Sequence, residues 1–223
     1  SSITPILHDI GFMIIDEVTY NIQNSTQLIF VSRFNLKVNT DEDLKRIINA
    51  QDNIENIITS SLKDSSLIHS KAFSLVLNQN FDLKQIGLVR AFIEYIDQAV
   101  LTINSATILN TLTTHHVITN HFVNYFCIKF NPKVKTRKEK LNALEIKIEE
   151  KIKQIPQIID DKILKLTFSF LKSLLRTNYY MNKETIAFKI NTLLFGENLK
   201  GLQPNLENFI YHPSFYGVHL RMS

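Results

Sequence analysis

IIDDKILKLTFSFLKSLLRT, residues 158–177, is the stretch that decides the fold. Ile159, Ile163, Leu166, Phe170, Leu174 and Leu175 recur in it at helical spacing, so it reads as the helix lying deepest in a bundle. Working outward, nearly everything from about Ser65 to Asn178 has the same period. Lys133 to Lys153 is the most charged part, with Glu145 and Glu149 four residues apart and Glu149 four residues before Lys153. That spacing suits a solvated helix, and Pro156 ends it or starts its successor. Ala106 to Phe130 holds one or two helices stopped by Asn131-Pro132. Asp82 offers a cap for a helix running through Gln98, with Ile86, Val89, Phe92, Ile93 and Ile96 on one side. Leu67 to Leu77 makes a shorter helix, closed by Asn78-Gln79-Asn80.

The first sixty residues differ. Phe12 to Ile22 and Leu28 to Leu36 are rich in β-branched and aromatic residues and flank Gln23-Asn24-Ser25-Thr26, which carries turn chemistry, so they read as an antiparallel hairpin. Asn24-Ser25-Thr26 is also a glycosylation sequon, and the turn reading is preferred. Thr40 or Asp41 then caps one amphipathic helix that runs to about Ser61 through Leu44, Ile47, Ile48, Ile54, Ile57 and Ile58. At the other end Thr185 to Ile190, Asn208 to Tyr211 and Tyr216 to Leu220 read as strands, with a loop from Gly196 to Pro204. The expected fold is mainly α with a minor α+β part. It comprises a β-hairpin plus helix over residues 1–64, a helical domain over 65–180 and strands over 181–223.

Composition agrees. In 223 residues there are only five Gly and five Pro, too few for a β-rich or linker-rich chain, and with no Trp the 15 Phe must build the core together with Ile and Leu. No apolar run approaches the roughly 20 residues of a membrane span, and SSITPILHDI lacks the basic and apolar regions of a secretory signal. A cytoplasmic location and no membrane partner are expected. The formal charge of +4 is modest.

Motifs that would carry chemistry are scarce. His115, His116 and His121 fall on different helix faces, unlike the four-residue spacing of a facial zinc pair, so no metal site is assigned. The cluster Lys133-Val134-Lys135-Thr136-Arg137-Lys138 lacks interleaved aromatics and is followed at once by acids, so it reads as a solvated helix start and not as a nucleic-acid site. The glycines form neither GxGxxG nor GxxxxGK. Cys127 lies in the apolar run Tyr125 to Ile128 with no acid or histidine within four residues, and reads as a buried structural thiol.

Three blocks, in order, carry a family resemblance: IGFMIIDEVTYNI from Ile10; FSLVLNQNFDLKQIGLVRAFIEYIDQ from Phe73, with Arg90, Ala91, Tyr95 and Gln98 matching a pattern; and LLRTNYY, AFKI, FIYHP and GVHLR between Leu174 and Arg221. Together they resemble the large NAD-specific glutamate dehydrogenases. The resemblance implies that residues 1–64 are the end of an ACT-like regulatory region and that the chain is a fragment leading into a catalytic domain. The parent would oxidatively deaminate L-glutamate to 2-oxoglutarate and ammonia with NAD. It further implies that the substrate-binding and NAD-binding segments lie after Ser223, so no catalytic, cofactor or metal residue is assigned here. Arg176, Thr177, Asn178 and Arg221 are candidates for contact with the catalytic domain of the same parent chain, and a homo-oligomer is expected of that parent. At Met222-Ser223 the chain departs from the glycine the family favours. The chain itself is expected to be a non-catalytic regulatory and scaffolding fragment of that parent; the alternatives are an ACT-like amino-acid-binding module and a stand-alone helical adaptor.

Overall fold

The computed structural model describes residues 3–23, 26–64, 70–100, 102–195 and 206–221, apart from the side chain of Arg221. The expected turn at Asn24-Ser25, the start of the Leu67 helix, the Gly196 to Pro204 loop and Met222-Ser223 lie outside the described residues. The chain divides into two compact units, residues 1–82 and 83–223. Its architecture is mainly α with a minor β part, as expected from the sequence.

The first unit opens with α1 (Ile3–Ile10), a helix the sequence reading did not include. Gly11, at φ +109°, ends it: Gly11 N–H donates to the carbonyls of Leu7 and His8, and Phe12 N–H donates to that of Leu7. This is a left-handed cap that glycine adopts without steric cost. The hairpin follows as β1 (Met13–Gln23) and β2 (Leu28–Lys37), paired antiparallel from Met13 opposite Lys37 to Gln23 opposite Leu28, with a bulge between Ile14 and Asp16. Across it Asn35 Nδ2 donates to both carboxylate oxygens of Asp16 at 2.8 and 2.9 Å.

Where the sequence predicts one helix to Ser61, the structure has two, α2 (Asp41–Asn49) and α3 (Gln51–Lys63). Thr40 is the N-cap, its hydroxyl accepting from Asp43 N–H at 3.1 Å. The break falls at Ala50, with φ −101° and ψ 6°. There the apolar repeat skips from Ile48 to Ile54, and the change of direction buries Ala50, Ile54 and Ile57, whereas no residue of α2 itself is buried. A 3-10 turn (Lys71–Phe73) and α4 (Ser74–Gln79) complete the unit, closed by left-handed Asn80, whose carbonyl and side-chain oxygens accept from Asn53 Nδ2 of α3.

The second unit holds α5 (Leu83–Ala99), α6 (Ser105–Thr114), α7 (His116–Phe130), α8 (Arg137–Lys153) and α9 (Ile158–Ser173). All five apolar positions expected on one side of α5 are buried. Helix α8 is solvated as expected, burying only Ile148 and Ile152, although it begins at Arg137 and leaves Lys133 to Thr136 outside. In α9, Ile163, Leu166 and Phe170 are buried, but Ile159 is 60% exposed.

The expectation of helix to Thr177 is corrected: α9 stops at Ser173, and Leu174–Thr177 is strand β3. Lys129 Nζ of α7 donates to the carbonyls of Leu171 and Lys172, satisfying the helix end, and Leu174 pairs with Ile190 in the sheet. Leu175, at the bulge beside this pair, is 44% exposed.

After a 3-10 turn (Tyr179–Met181), β4 (Ile186–Asn191), α10 (Thr192–Phe195), β5 (Leu206–His212) and β6 (Phe215–Arg221) follow. The strands form an antiparallel meander in the order β3-β4-β5-β6. Its inner face carries Phe188, Ile190, Phe209 and Tyr211, all buried. Phe92 of α5, Phe126 of α7 and Phe170 of α9 converge on Phe188, with ring centroids 5.8 to 6.0 Å apart. Edge and tilted arrangements of this kind add to the area that the rings bury.

Candidate functional site

The polar chemistry buried in the second unit gathers where α5 meets β5. Strand alternation puts Glu207 on the inner face with Phe209 and Tyr211, and Glu207 is 7% exposed. Its carboxylate accepts a 2.7 Å hydrogen bond from the Tyr95 hydroxyl. Tyr95 is fully buried, stacked on Phe170 at 4.4 Å and edge-on to Phe209 at 5.4 Å. Burial, followed by the charge and hydrogen bond of Glu207, raises the phenol far above its ordinary value. This tyrosine therefore stays neutral and acts as a donor.

At the position just before Tyr95, burial and then Asp97 raise the Glu94 carboxyl, with Arg90 opposing. Burial pushes the Tyr211 phenol up to about 12, Arg90 works against the shift and Glu94 adds to it. The Tyr211 hydroxyl is buried without a partner among the described residues. Of the matched pattern on α5, then, Ala91 and Tyr95 are buried against the rest of the unit, and Arg90 lies in the field of Glu94 and Tyr211.

The four interface candidates are not brought together. Arg176 is exposed in edge strand β3, opposite Lys189, which sits opposite Asn208, itself opposite His219. These four lie in one row across the sheet, on the face away from the aromatic core. Arg221 pairs with Leu206 in the other edge strand, three strand spacings or about 14 Å from β3. Thr177 and Asn178 serve their own loop. The Thr177 hydroxyl accepts from Tyr179 N–H, and the Asn178 side chain accepts from Ala187 N–H at 2.7 Å and donates to the Thr185 carbonyl at 3.0 Å.

The histidines are likewise apart in role. His115 Nε2 lies 2.9 Å from Asp160, which also accepts from Thr111. Burial raises the Asp160 carboxyl, but the hydrogen bonds from Thr111 and His115 outweigh it and hold the group below its ordinary value. His121 sits in the first half of α7, facing α8. Cys127 is half-buried. The sequence reading missed Glu207 and Lys129. The first was detectable as an acid at an inward strand position. The second has no local signal, because its partners are 42 and 43 residues away.

Comparison with known proteins adds identity to this geometry. Residues 73–132 match the family model "Glutamate dehydrogenase, helical motif 3", and residues 147–223 match "Bacterial NAD-glutamate dehydrogenase, catalytic domain". The Tyr95–Glu207 bond thus joins the two matched segments. Among curated relatives, NAD-specific glutamate dehydrogenases of Halomonas elongata and Pseudomonas aeruginosa are 26% and 28% identical over 99% of the chain. That of Mycobacterium tuberculosis is 28% identical over 66% of it. The chain spans 14% of the length of the first two and 10% of the third. No helix among the described residues is long and apolar enough to cross a membrane. With both family models and these relatives in agreement along it, the chain belongs to the family of large NAD-specific glutamate dehydrogenases.

Proposed function

We propose that this chain is a scaffold within a longer NAD-dependent glutamate dehydrogenase, presenting the first strands of the catalytic domain on a helical platform. The longer protein would oxidise L-glutamate to 2-oxoglutarate and ammonia, passing hydride to NAD, in the cytoplasm and as a homo-oligomer. The residues described here hold and orient the sheet and carry out no step of that chemistry. The observation supporting this reading is the buried Tyr95–Glu207 hydrogen bond, which fastens the helical-motif segment to the catalytic-domain segment inside an aromatic core. A donor and acceptor matched this deeply fix one docking arrangement, because any other leaves a buried carboxylate unpaired. The outer-face row Arg176, Lys189, Asn208 and His219, together with Arg221 on the opposite edge, is the surface offered to the rest of the catalytic domain.

The test is an assay of the 223-residue chain for glutamate-dependent NAD reduction, followed at 340 nm. No turnover is expected, and measurable turnover would remove the scaffold reading. A second reading, an ACT-like amino-acid-binding module, is favoured by one observation in the first unit. A crevice of about 230 Å3 beside Gly11 is lined by Lys37, Asn39, Asp43, Arg46 and Ser74, a set with groups for both ends of an amino-acid zwitterion. A panel of L-amino acids at millimolar concentration should raise the melting temperature for this reading to hold, since a ligand that binds the native state stabilises it by mass action. A flat panel removes it.

A further inference from the structure

We propose that the groove between α7 and α8 is a docking surface for an acidic amphipathic helix of a partner chain. The groove encloses about 540 Å3. His121, Asn124, Ile128 and Asn131 form one wall, and Lys140, Leu144 and Lys147 form much of the other. Both walls repeat at three-, four- and seven-residue intervals, so the trough runs along the helices for about two turns. Its floor is apolar, and it is open along its length. Small-ligand sites bury 70–90% of their occupant, which an open trough does not do, whereas a third helix laid between two others fits its shape.

Charge selects the partner. Lys140 and Lys147 stand seven residues apart, about 10 Å along the helix, and neither side chain forms a hydrogen bond or ion pair among the described residues. Two of the four acids of α8 are turned elsewhere: Glu145 accepts from Tyr125 at 2.8 Å, and Glu149 lies 3.8 Å from Lys172. His121 Nε2 is buried without a partner, and burial, followed by the Lys147 and Lys151 charges, holds this imidazole below its ordinary value. Neither lysine of the wall is therefore neutralised by an ion pair among the described residues.

The surrounding unit points the same way. Residues 83–223 hold nineteen Lys and Arg against eleven Asp and Glu, whereas residues 1–82 hold six against ten, an asymmetry that the modest overall charge conceals. A helix with an aliphatic seam and two carboxylates one heptad apart would cover the floor and meet both lysines.

The probe is a 15-residue lactam-stapled peptide with a leucine seam and glutamates seven positions apart, beside its counterpart carrying lysines at those positions. Titration into the intact chain is read by fluorescence anisotropy and by the His121 ring signals in NMR spectra. The glutamate peptide should bind with salt-sensitive affinity, move the His121 signals and bind at least tenfold more weakly to the Lys140→Glu/Lys147→Glu variant. An Ala143→Arg variant, which obstructs the floor at an exposed position, should lose binding as well and guards against misfolding of the double variant. Equal binding of the two peptides, undiminished binding to either folded variant, or no movement of His121 would overturn the proposal. So would decanoate occupying the groove while the glutamate peptide does not.

Discussion

The hairpin β1–β2 and the meander β3–β6 are built from similar runs of β-branched and aromatic residues, yet only the meander has an aromatic helical layer behind it. In the hairpin Tyr20, Ile22, Ile29 and Val31 share one face and are each 45 to 53% exposed. In the meander Phe188, Ile190 and Phe209 are at most 1% exposed. Local sequence thus specifies that a strand forms and how it is paired, whereas the energy that holds a sheet depends on what covers its face. The hairpin is held mainly by its ladder and by cross-strand pairs such as Asp16–Asn35 and Thr19–Ser32.

The strongest way to break the contrast is to remove the covering layer. Phe170→Ala deletes a ring that touches Phe92, Tyr95, Phe188 and Phe195 at once, and should cost about 3–5 kcal/mol in urea unfolding of the second unit. Hydrogen exchange should quicken across β3–β6 and leave β1–β2 unchanged. Acceleration limited to α9 would show that the sheet stands without it. Tyr95→Phe comes next. It leaves Glu207 buried with its carboxylate unpaired, so a loss of about 2–3 kcal/mol is expected, measured with Glu207→Gln and the double variant to isolate the pair. Coupling near zero would mean that water replaces the bond freely.

A smaller effect separates the two sheets by pH. Burial pushes the Lys129 ammonium down to about 8, opposed by Glu145, while the same group in the unfolded chain keeps an ordinary value near 10.5. Between those values the unfolded state binds more protons, so stability should rise from about pH 8 to about 10.5. The slope stays below roughly 1.4 kcal/mol per pH unit, the limit for one proton, because the side chain is partly exposed. Lys129→Met should flatten that rise while loosening the end of α9 ahead of β3. A stability curve unchanged by the substitution would place the titration elsewhere.

Legibility followed the same division. The α5 stripe, the hairpin and the Thr40 cap were readable because each rests on neighbours within a few residues. Leu174 to Thr177 continues the α9 period without interruption, and nothing local says that it becomes strand; Lys129, bonded to Leu171 at the helix end 42 residues on, and Ile190, paired with Leu174 from 16 residues away, decide that. The break at Ala50 depends on tertiary burial, as does the small helix α1. For the site, the family pattern drew attention to Tyr95 but not to its partner, although period-two alternation had already set Glu207 beside Phe209 and Tyr211. Arg176 and Arg221 were sensible interface candidates from sequence order, and only the strand order shows that they occupy opposite edges.

The least effect is expected where the apolar surface is already wet. Tyr20→Ser removes a large side chain from the hairpin, but one 49% exposed and facing Val31 at 45% exposure, so little buried area is lost. The cross-strand pair itself contributes about 0.2–1 kcal/mol, and an exposed substitution normally stays within about 0.5. Thermal unfolding of the 223-residue chain should therefore shift by no more than a degree or two. If Tyr20→Ser instead costs as much as Tyr95→Phe, the hairpin face is covered in solution, and the contrast between the two sheets would belong to the isolated chain alone. Repeating the measurement at tenfold higher and lower protein concentration identifies the cover, because contact with a second copy makes the loss concentration-dependent and contact within one chain does not.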